Sequence, residues 1–434
     1  MVMESQGKYE VTAEFAKKKD AKDPLARFRG RFYVPKGSIY VDGNSLGLCP
    51  KDAEKSVMRA LDEWKRFAIK GFMQGAPPWF YMAEKYGALC ADLVGAKPDE
   101  VVCTGTTTVN IHALLATFYR PDGKKCQILA DELDFPSDIY AMKGQIALRG
   151  LDPEKCLIRT PSTNGYVLDE DTLIERMTDD VALVMLPSVL YRSGQLLDIR
   201  RLTREAHRRG IVIGFDCCHS VGAVPHRFDE WGVDFAMWCS YKYLNCGPGS
   251  TAFLYVNRRH FEERPVLAGW FGNRKETQFD MSHDFEPARS AGAWQISSPA
   301  IFSAAPAEGS LRIIHEAGME NIRRKSLDMT GYLIYLIDEM LSRKPYNFKI
   351  ATPREPGRRG GHVAVVHRKE ALRINEALLA RGVVPDFRPP DIIRIAPIAL
   401  YNTYHEVWRV VQHLKQIIDK KEYERFPQQR KAVA

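Results

Sequence analysis

Four short apolar runs rich in branched residues alternate with stretches of helical periodicity: Val101-Val102-Cys103, Gln127-Ile128-Leu129, Val181-Ala182-Leu183-Val184-Met185-Leu186 and Ile211-Val212-Ile213-Gly214-Phe215. Runs without a polar alternate face read as strands buried on both sides. Helical patterns at Val109 to Phe118 and Leu202 to Arg209 lie between them. The reading is therefore α/β, built from βαβ units around a mainly parallel sheet. A further amphipathic helix is expected from Asp52 to Gly71, where Val57, Leu61, Trp64 and Ile69 recur near helical spacing after Pro50.

The texture changes near Pro299 to Ala307, and from about Ser310 a long helical pattern runs through Tyr332, Leu333, Leu336, Ile337 and Leu341. The expected division is an N-terminal segment (1–45), a large domain (46–309) and a smaller α+β domain (310–434). In the last, strands are expected at Val363 to Val366 and Ile392 to Ile395, with helices at Glu370 to Leu379 and Tyr404 to Ile418. A chain of 434 residues buries a core large enough for such a division.

Lys and Arg exceed Asp and Glu by 62 to 54, a net +8. The excess is scattered in patches such as Lys17-Lys18-Lys19, Arg208-Arg209 and Arg358-Arg359, without interleaved aromatics. That pattern is solvated surface and predicts no nucleic-acid partner; a mildly positive cleft suits an anionic ligand. The nine cysteines show no C-x-x-C or zinc spacing, so no metal is expected and a reducing cytoplasm fits. Met1 to Asp20 has no apolar secretory core, and no run of about eighteen apolar residues predicts a membrane span.

In open α/β sheets ligands sit beyond the carboxyl ends of the strands. Four such ends carry chemistry. Thr104-Gly105-Thr106-Thr107-Thr108 precedes a helix and reads either as a phosphate cradle or as a plain Thr cap. Phe135-Pro136-Ser137-Asp138 offers an aromatic for a flat ring, or simply a turn. Asp216-Cys217-Cys218-His219 puts an acid at a buried strand end, where it needs a partner. In Ser240-Tyr241-Lys242-Tyr243-Leu244-Asn245 a lysine sits inside an aromatic run, where a depressed pKa makes a Schiff-base nucleophile and a snorkelling side chain is the bland alternative. Together these are the parts that hold pyridoxal phosphate.

Their order and the Asp216-to-Lys242 separation resemble the fold type I, or aspartate-aminotransferase-like, enzymes. Within that superfamily the chain resembles the kynureninases from about Tyr40 to Val407, through Asp42-Gly43-Asn44-Ser45-Leu46-Gly47, Thr108-Val109-Asn110-Ile111-His112, the Phe135 and Lys242 segments above, Asp216-Cys217-Cys218-His219-Ser220-Val221-Gly222, Gly269-Trp270-Phe271-Gly272 and Arg394-Ile395-Ala396-Pro397. The resemblance implies a pyridoxal 5′-phosphate enzyme of tryptophan catabolism and NAD biosynthesis that hydrolyses L-kynurenine to anthranilate and L-alanine. It implies Lys242 as the Schiff-base and proton-transfer lysine, Asp216 as partner of the ring nitrogen and Phe135 over a ring face. Tyr241, Thr107 and Thr108 would hold the phosphate, with Tyr241 also a candidate proton relay. Ser137, Asp138, Ser188 and His219 would line the cofactor pocket, while Trp270 and Ser298 would arrive from the partner subunit of a homodimer. Arg394 would clamp the substrate carboxylate, with Asn44, Ser45, Phe72 and Ser298 near the substrate. Phe72 and Ser298 stand where animal relatives carry His and Asn. Losing those polar groups favours plain kynurenine over 3-hydroxykynurenine.

The Lys242 segment alone also resembles the cysteine desulfurases, but these need a mobile-loop Cys near the C-terminal domain, and the last Cys here is Cys246. An aminotransferase would form pyridoxamine phosphate and need a keto acid. The combined Lys242, Asp216 and Arg394 set argues against a binding protein without turnover.

Overall fold

The computed structural model describes residues 8–429; residues 1–7 of the expected N-terminal segment and 430–434 of the expected C-terminal domain lie outside the described residues. The branched runs become strands of a seven-stranded sheet: β1 (Val101–Cys103), β2 (Gln127–Asp131), β3 (Leu157–Thr160), β4 (Val181–Pro187), β5 (Val212–Asp216), β6 (Phe235–Trp238) and β7 (Phe253–Val256), in the order β1-β7-β6-β5-β4-β2-β3. Only β7 opposes its neighbours; the other pairs are parallel. Side chains of β4 alternate between two apolar layers, Val184 and Leu186 to one and Leu183 and Met185 to the other. This double burial is why the strand reads as a continuous apolar run.

The helix at 52–71 is α1 (Lys51–Phe67), which ends early because Ala68 turns left-handed at φ 47° and short helical turns follow. α2 (Thr107–Phe118), α3 (Pro136–Ala147) and α4 (Ile199–His207) follow β1, β2 and β4. The long pattern after Ser310 is two helices, α5 (Pro306–Ala317) and α6 (Met319–Leu341), broken at Gly318, whose φ of 77° suits glycine.

The second sheet is antiparallel: β8 (Lys349–Ile350), β9 (Val363–Val366), β10 (Asp386–Arg388) and β11 (Ile392–Ile395), in the order β10-β11-β9-β8. α7 (Ala371–Ala380) and α8 (Tyr404–Asp419) join α6 on it; Leu333, Leu336, Ile374, Leu378, Val407 and Val411 share one core with Val363, Val365, Ile393 and Ile395. A Thr403/Glu406 capping box starts α8. The N-terminal segment packs here too: Tyr9, Ala16, Ile39 and Val41 belong to this core, and Ile39–Tyr40 pairs in parallel with Val383–Val384. In exchange, Ala396 to Tyr401 reach into the core of the large sheet. Among the described residues no helix is long and apolar enough to cross a membrane.

Candidate active site

The parallel direction of β2, β4, β5 and β6 brings their carboxyl ends to one edge of the sheet. A cavity of about 250 Å³ opens there, lined by Thr107, Thr108, Phe135, Ser137, Asp138, Asp216, His219, Tyr241, Lys242, Asn44, Ser45 and Arg394, with Asp134, Tyr191, Cys218 and Arg388. Residues 350 positions apart in sequence thus share one wall. A larger cleft of about 1020 Å³ lies elsewhere, among Arg59, Tyr86 and Glu308. It contains none of these groups, and its Arg59 and Arg312 are paired with Glu308.

At the head of α2 the cap residue Thr106 makes no side-chain capping bond. The plain Thr cap is therefore not what the sequence encodes; the first-turn N–H groups stay available beside Thr107 and Thr108. Phe135 precedes α3, is 41% exposed and meets Tyr191 edge to face at 5.3 Å. Behind it lie Asp134 and Asp138, both buried, each with one carboxylate oxygen lacking a partner. Burial, with Asp216 close by, pushes both carboxyls well above the usual range. Asp216 itself takes a hydrogen bond from the Cys218 N–H at 2.7 Å, which orients the carboxylate at the strand end.

Lys242 is half-buried, and its Nζ lies 3.0 Å from His219 Nε2. Burial opposes the ammonium, but the sulfurs of Cys239 and Cys218, the Tyr241 hydroxyl and Asp216 outweigh it and hold the amine above its ordinary range. The depressed amine expected from the sequence is thus corrected: the lysine lies among acceptors. His219, by contrast, is held well below its usual value by burial and by Lys242, so the imidazole is neutral and accepts from the ammonium. Its Nδ1 has no partner. The Tyr241 phenol is pushed up, chiefly by burial, and stays a donor. The Lys242 loop is tied to the stretch just before α1 by the Gly47 N–H, which donates to the Tyr241 carbonyl at 2.7 Å. A side chain at Gly47 would strike Asn245 at 2.3 Å and the Lys242 carbonyl at 2.5 Å.

Arg394, on β11, is 1% exposed. It donates to the Tyr191 carbonyl at 2.7 Å and to Ser45 Oγ at 3.0 Å, and it pairs with Asp386, its cross-strand neighbour on β10. Its Nε has no partner. Asn44 is fully buried with its amide unpaired.

Four expected residues stand apart. Ser188 is behind the cavity wall rather than on it: fully buried, it donates to the Asp216 carbonyl at 3.1 Å and meets Ser220 Oγ at 2.7 Å. Phe72 packs edge-on against Trp79 at 5.7 Å, outside the cavity. Trp270, with its indole N–H on the Gln278 carbonyl, and Ser298 are both exposed on the surface. Asp134, Tyr191 and Arg388 were missed from the sequence. An acid directly before Phe-Pro at a strand end was a signal for the first; Tyr191 and Arg388 carry none.

A family model of the kynureninase C-terminal domain matches residues 322–414. The kynureninase of Geobacillus thermodenitrificans is 56% identical over 98% of this chain and 99% of its own, and that of Shouchella clausii 55% identical over 98% of each. The chain belongs to the kynureninase family. Among solved structures, the cysteine desulfurase of Thermococcus onnurineus superposes with a TM-score of 0.76 at 18% identity, covering 91% of this chain and 98% of that one. C-DES, in a mutant with glycine covalently linked to its PLP cofactor, superposes with a TM-score of 0.75 at 18% identity, covering 89% and 98%. The kynureninase fold of this chain is therefore the fold type I architecture shared with those enzymes.

Proposed function

We propose that the cavity beyond β2, β4, β5 and β6 is where this kynureninase-family chain hydrolyses L-kynurenine to anthranilate and L-alanine, with pyridoxal 5′-phosphate as cofactor. The observation that carries the reading is the convergence of Lys242, Asp216, the uncapped start of α2 and Arg394 on one cavity. Its walls fit the cofactor: partnerless oxygens of Asp138 and Asp134, the free His219 Nδ1 and the open helix start are polar groups that await a ligand. When bound, that cofactor supplies an aldehyde for covalent attachment and a ring that withdraws electrons.

Lys242 Nζ would hold the cofactor through its aldehyde and, when its amine is free, would take the proton from the substrate α-carbon. Asp216, with Asp138 beside it, would hold a proton at the cofactor's ring nitrogen. Thr107, Thr108 and the α2 N–H groups bind phosphate, and Tyr241, kept protonated, donates to it or relays a proton. Phe135 covers the ring face, while Ser137 and His219 complete the wall. Arg394 orients the substrate carboxylate beside Asn44 and Ser45. Water adds its hydroxyl to the γ-carbonyl and a proton ends on Cβ as the bond between them breaks.

Exposed Trp270, Ile296, Phe302 and Trp64 support a homodimer in which Trp270 and Ser298 complete the partner's site; a monomeric mass by light scattering contradicts this. Phe72 and Ser298 lie outside this chain's own cavity, so selectivity for plain kynurenine would require that homodimer to bring them to the partner's substrate; a higher kcat/KM for 3-hydroxykynurenine overturns it. Nine free cysteines suit a reducing cytoplasm. The primary test is L-kynurenine with the purified protein and cofactor: blue anthranilate fluorescence is expected, and Lys242→Ala should abolish it together with the cofactor's visible band. Turnover retained in Lys242→Ala removes the lysine from its role.

A further inference from the structure

At the edge of the sheet opposite the cavity, β2 and β3 each begin just after a cysteine. Cys126 precedes Gln127 and Cys156 precedes Leu157, and the parallel register Ile128 to Leu157 sets the two residues diagonally across the strand pair. Their sulfurs stand 3.2 Å apart. Both backbones are fixed: the Tyr119 hydroxyl donates to the Cys126 carbonyl at 2.6 Å, and the Cys156 N–H donates to the Asp152 carbonyl at 2.9 Å. A disulfide needs about 2.05 Å between sulfurs, so about 1 Å of side-chain movement separates contact from bond.

We propose that Cys126 and Cys156 form a reversible oxidation site for peroxides. Cys126, half-buried, is the sulfur a peroxide reaches; Cys156 is 5% exposed. Peroxide oxidises the Cys126 thiol to a sulfenic acid and is itself reduced, leaving as water when the oxidant is hydrogen peroxide. The Cys156 sulfur then displaces the sulfenic oxygen as a second water, so two thiols and one peroxide yield one disulfide and two waters. A small dithiol reverses the step by exchange. Burial and the Cys126 contact push the Cys156 thiol up to about 11, which keeps it a thiol beside Cys126 until that sulfur is oxidised.

The two cysteines are 30 residues apart, and the chain between them carries Asp134, Phe135, Ser137 and Asp138 of the cavity wall. Oxidation would therefore clamp the β2–α3–β3 excursion at its far end without touching the chemistry. It restricts the unfolded chain and leaves the catalytic groups where they are.

The test is to treat the full-length holoenzyme with hydrogen peroxide, block free thiols, and map peptides by mass spectrometry without reduction. Expected are a linked peptide joining Cys126 to Cys156 that dithiothreitol releases, an unchanged kcat, and a melting temperature about 4 °C above the reduced protein. Cys126→Ser, or Cys156→Ser should the first not fold, should show no rise with peroxide. Both cysteines found separately blocked, or Cys126 carried on to sulfinic acid with Cys156 still a thiol, overturns the site. A linked peptide without a melting shift overturns the clamp.

Discussion

Replacing Arg394 by Lys keeps the positive charge and removes the planar fork, which separates a substrate clamp from an internal ion pair. Of the five N–H groups of a guanidinium, three are engaged by the Tyr191 carbonyl, the Ser45 hydroxyl and Asp386. The Nε–H, which has no partner, and one Nη1–H remain for a carboxylate. A lysine has three N–H groups, enough for the protein acceptors and none beyond. Losing one charge-assisted hydrogen bond costs about 1.5–3 kcal/mol, or about 10- to 150-fold in kcat/KM. The assay is the initial rate of anthranilate formation across L-kynurenine concentrations at saturating cofactor, and most of the loss should appear in KM because the carboxylate is held before and during the reaction. A kcat/KM within twofold of the parent, accompanied by lower stability, would refute the reasoning and leave Arg394 as the partner of Asp386 alone.

Three further outcomes follow from the packing. Asp23→Asn strips the counter-ion from Lys325, whose Nζ sits 2.7 Å from Asp23 with both side chains under 10% exposed; a loss of about 3–5 kcal/mol in urea unfolding is expected, and a loss below 1 kcal/mol on that scale would contradict it. Gly214→Ala puts a methyl 1.9 Å from the Phe235 ring, which is fully buried, so the urea midpoint should fall by the equivalent of about 1–3 kcal/mol or more. Burial drives the His226 imidazole from 6.5 down to about 3, so the unfolded chain takes up a proton that the native state refuses. Stability from this group is complete above pH 6.5 and declines on acidification toward pH 3, by up to about 1.4 kcal/mol per pH unit. His226→Gln should flatten the acid limb of stability by that share, and an unchanged limb would show that His226 does not contribute.

Much of this fold is legible in the sequence because burial on both faces leaves a one-dimensional trace. β4, β5, β9 and β11 are readable as apolar runs rich in branched residues, with Arg394 the one charge inside β11. β6, Phe-Ala-Met-Trp, was not, because it has no branched residue, and the four-residue β7 lies between Thr251-Ala252 and Asn257 without a distinguishing period. The helix after Ser310 read as one because both halves keep the same apolar stripe; Gly318 breaks it through a backbone angle that periodicity does not register. In the site, Lys242, Asp216 and the Thr107-Thr108 cradle announce themselves as polar groups at strand ends. Asn44, Ser45 and Arg394 entered through resemblance alone, since no local pattern joins residues that far apart. The sign at Lys242 was misread because the nearby sulfurs come from the ends of two different strands, β5 and β6.

Ile39–Tyr40 find their strand partners at Val383–Val384, and Ser45 meets Arg394 across 349 positions of sequence. During synthesis residues 39–45 must therefore wait for these contacts until the stretch from Val383 to Arg394 has been made. A polypeptide stalled before β10 would already display Lys242 yet lack the last wall around it. Abortive translation products would then be clients for chaperones and proteases, and poor traps for a scarce vitamin.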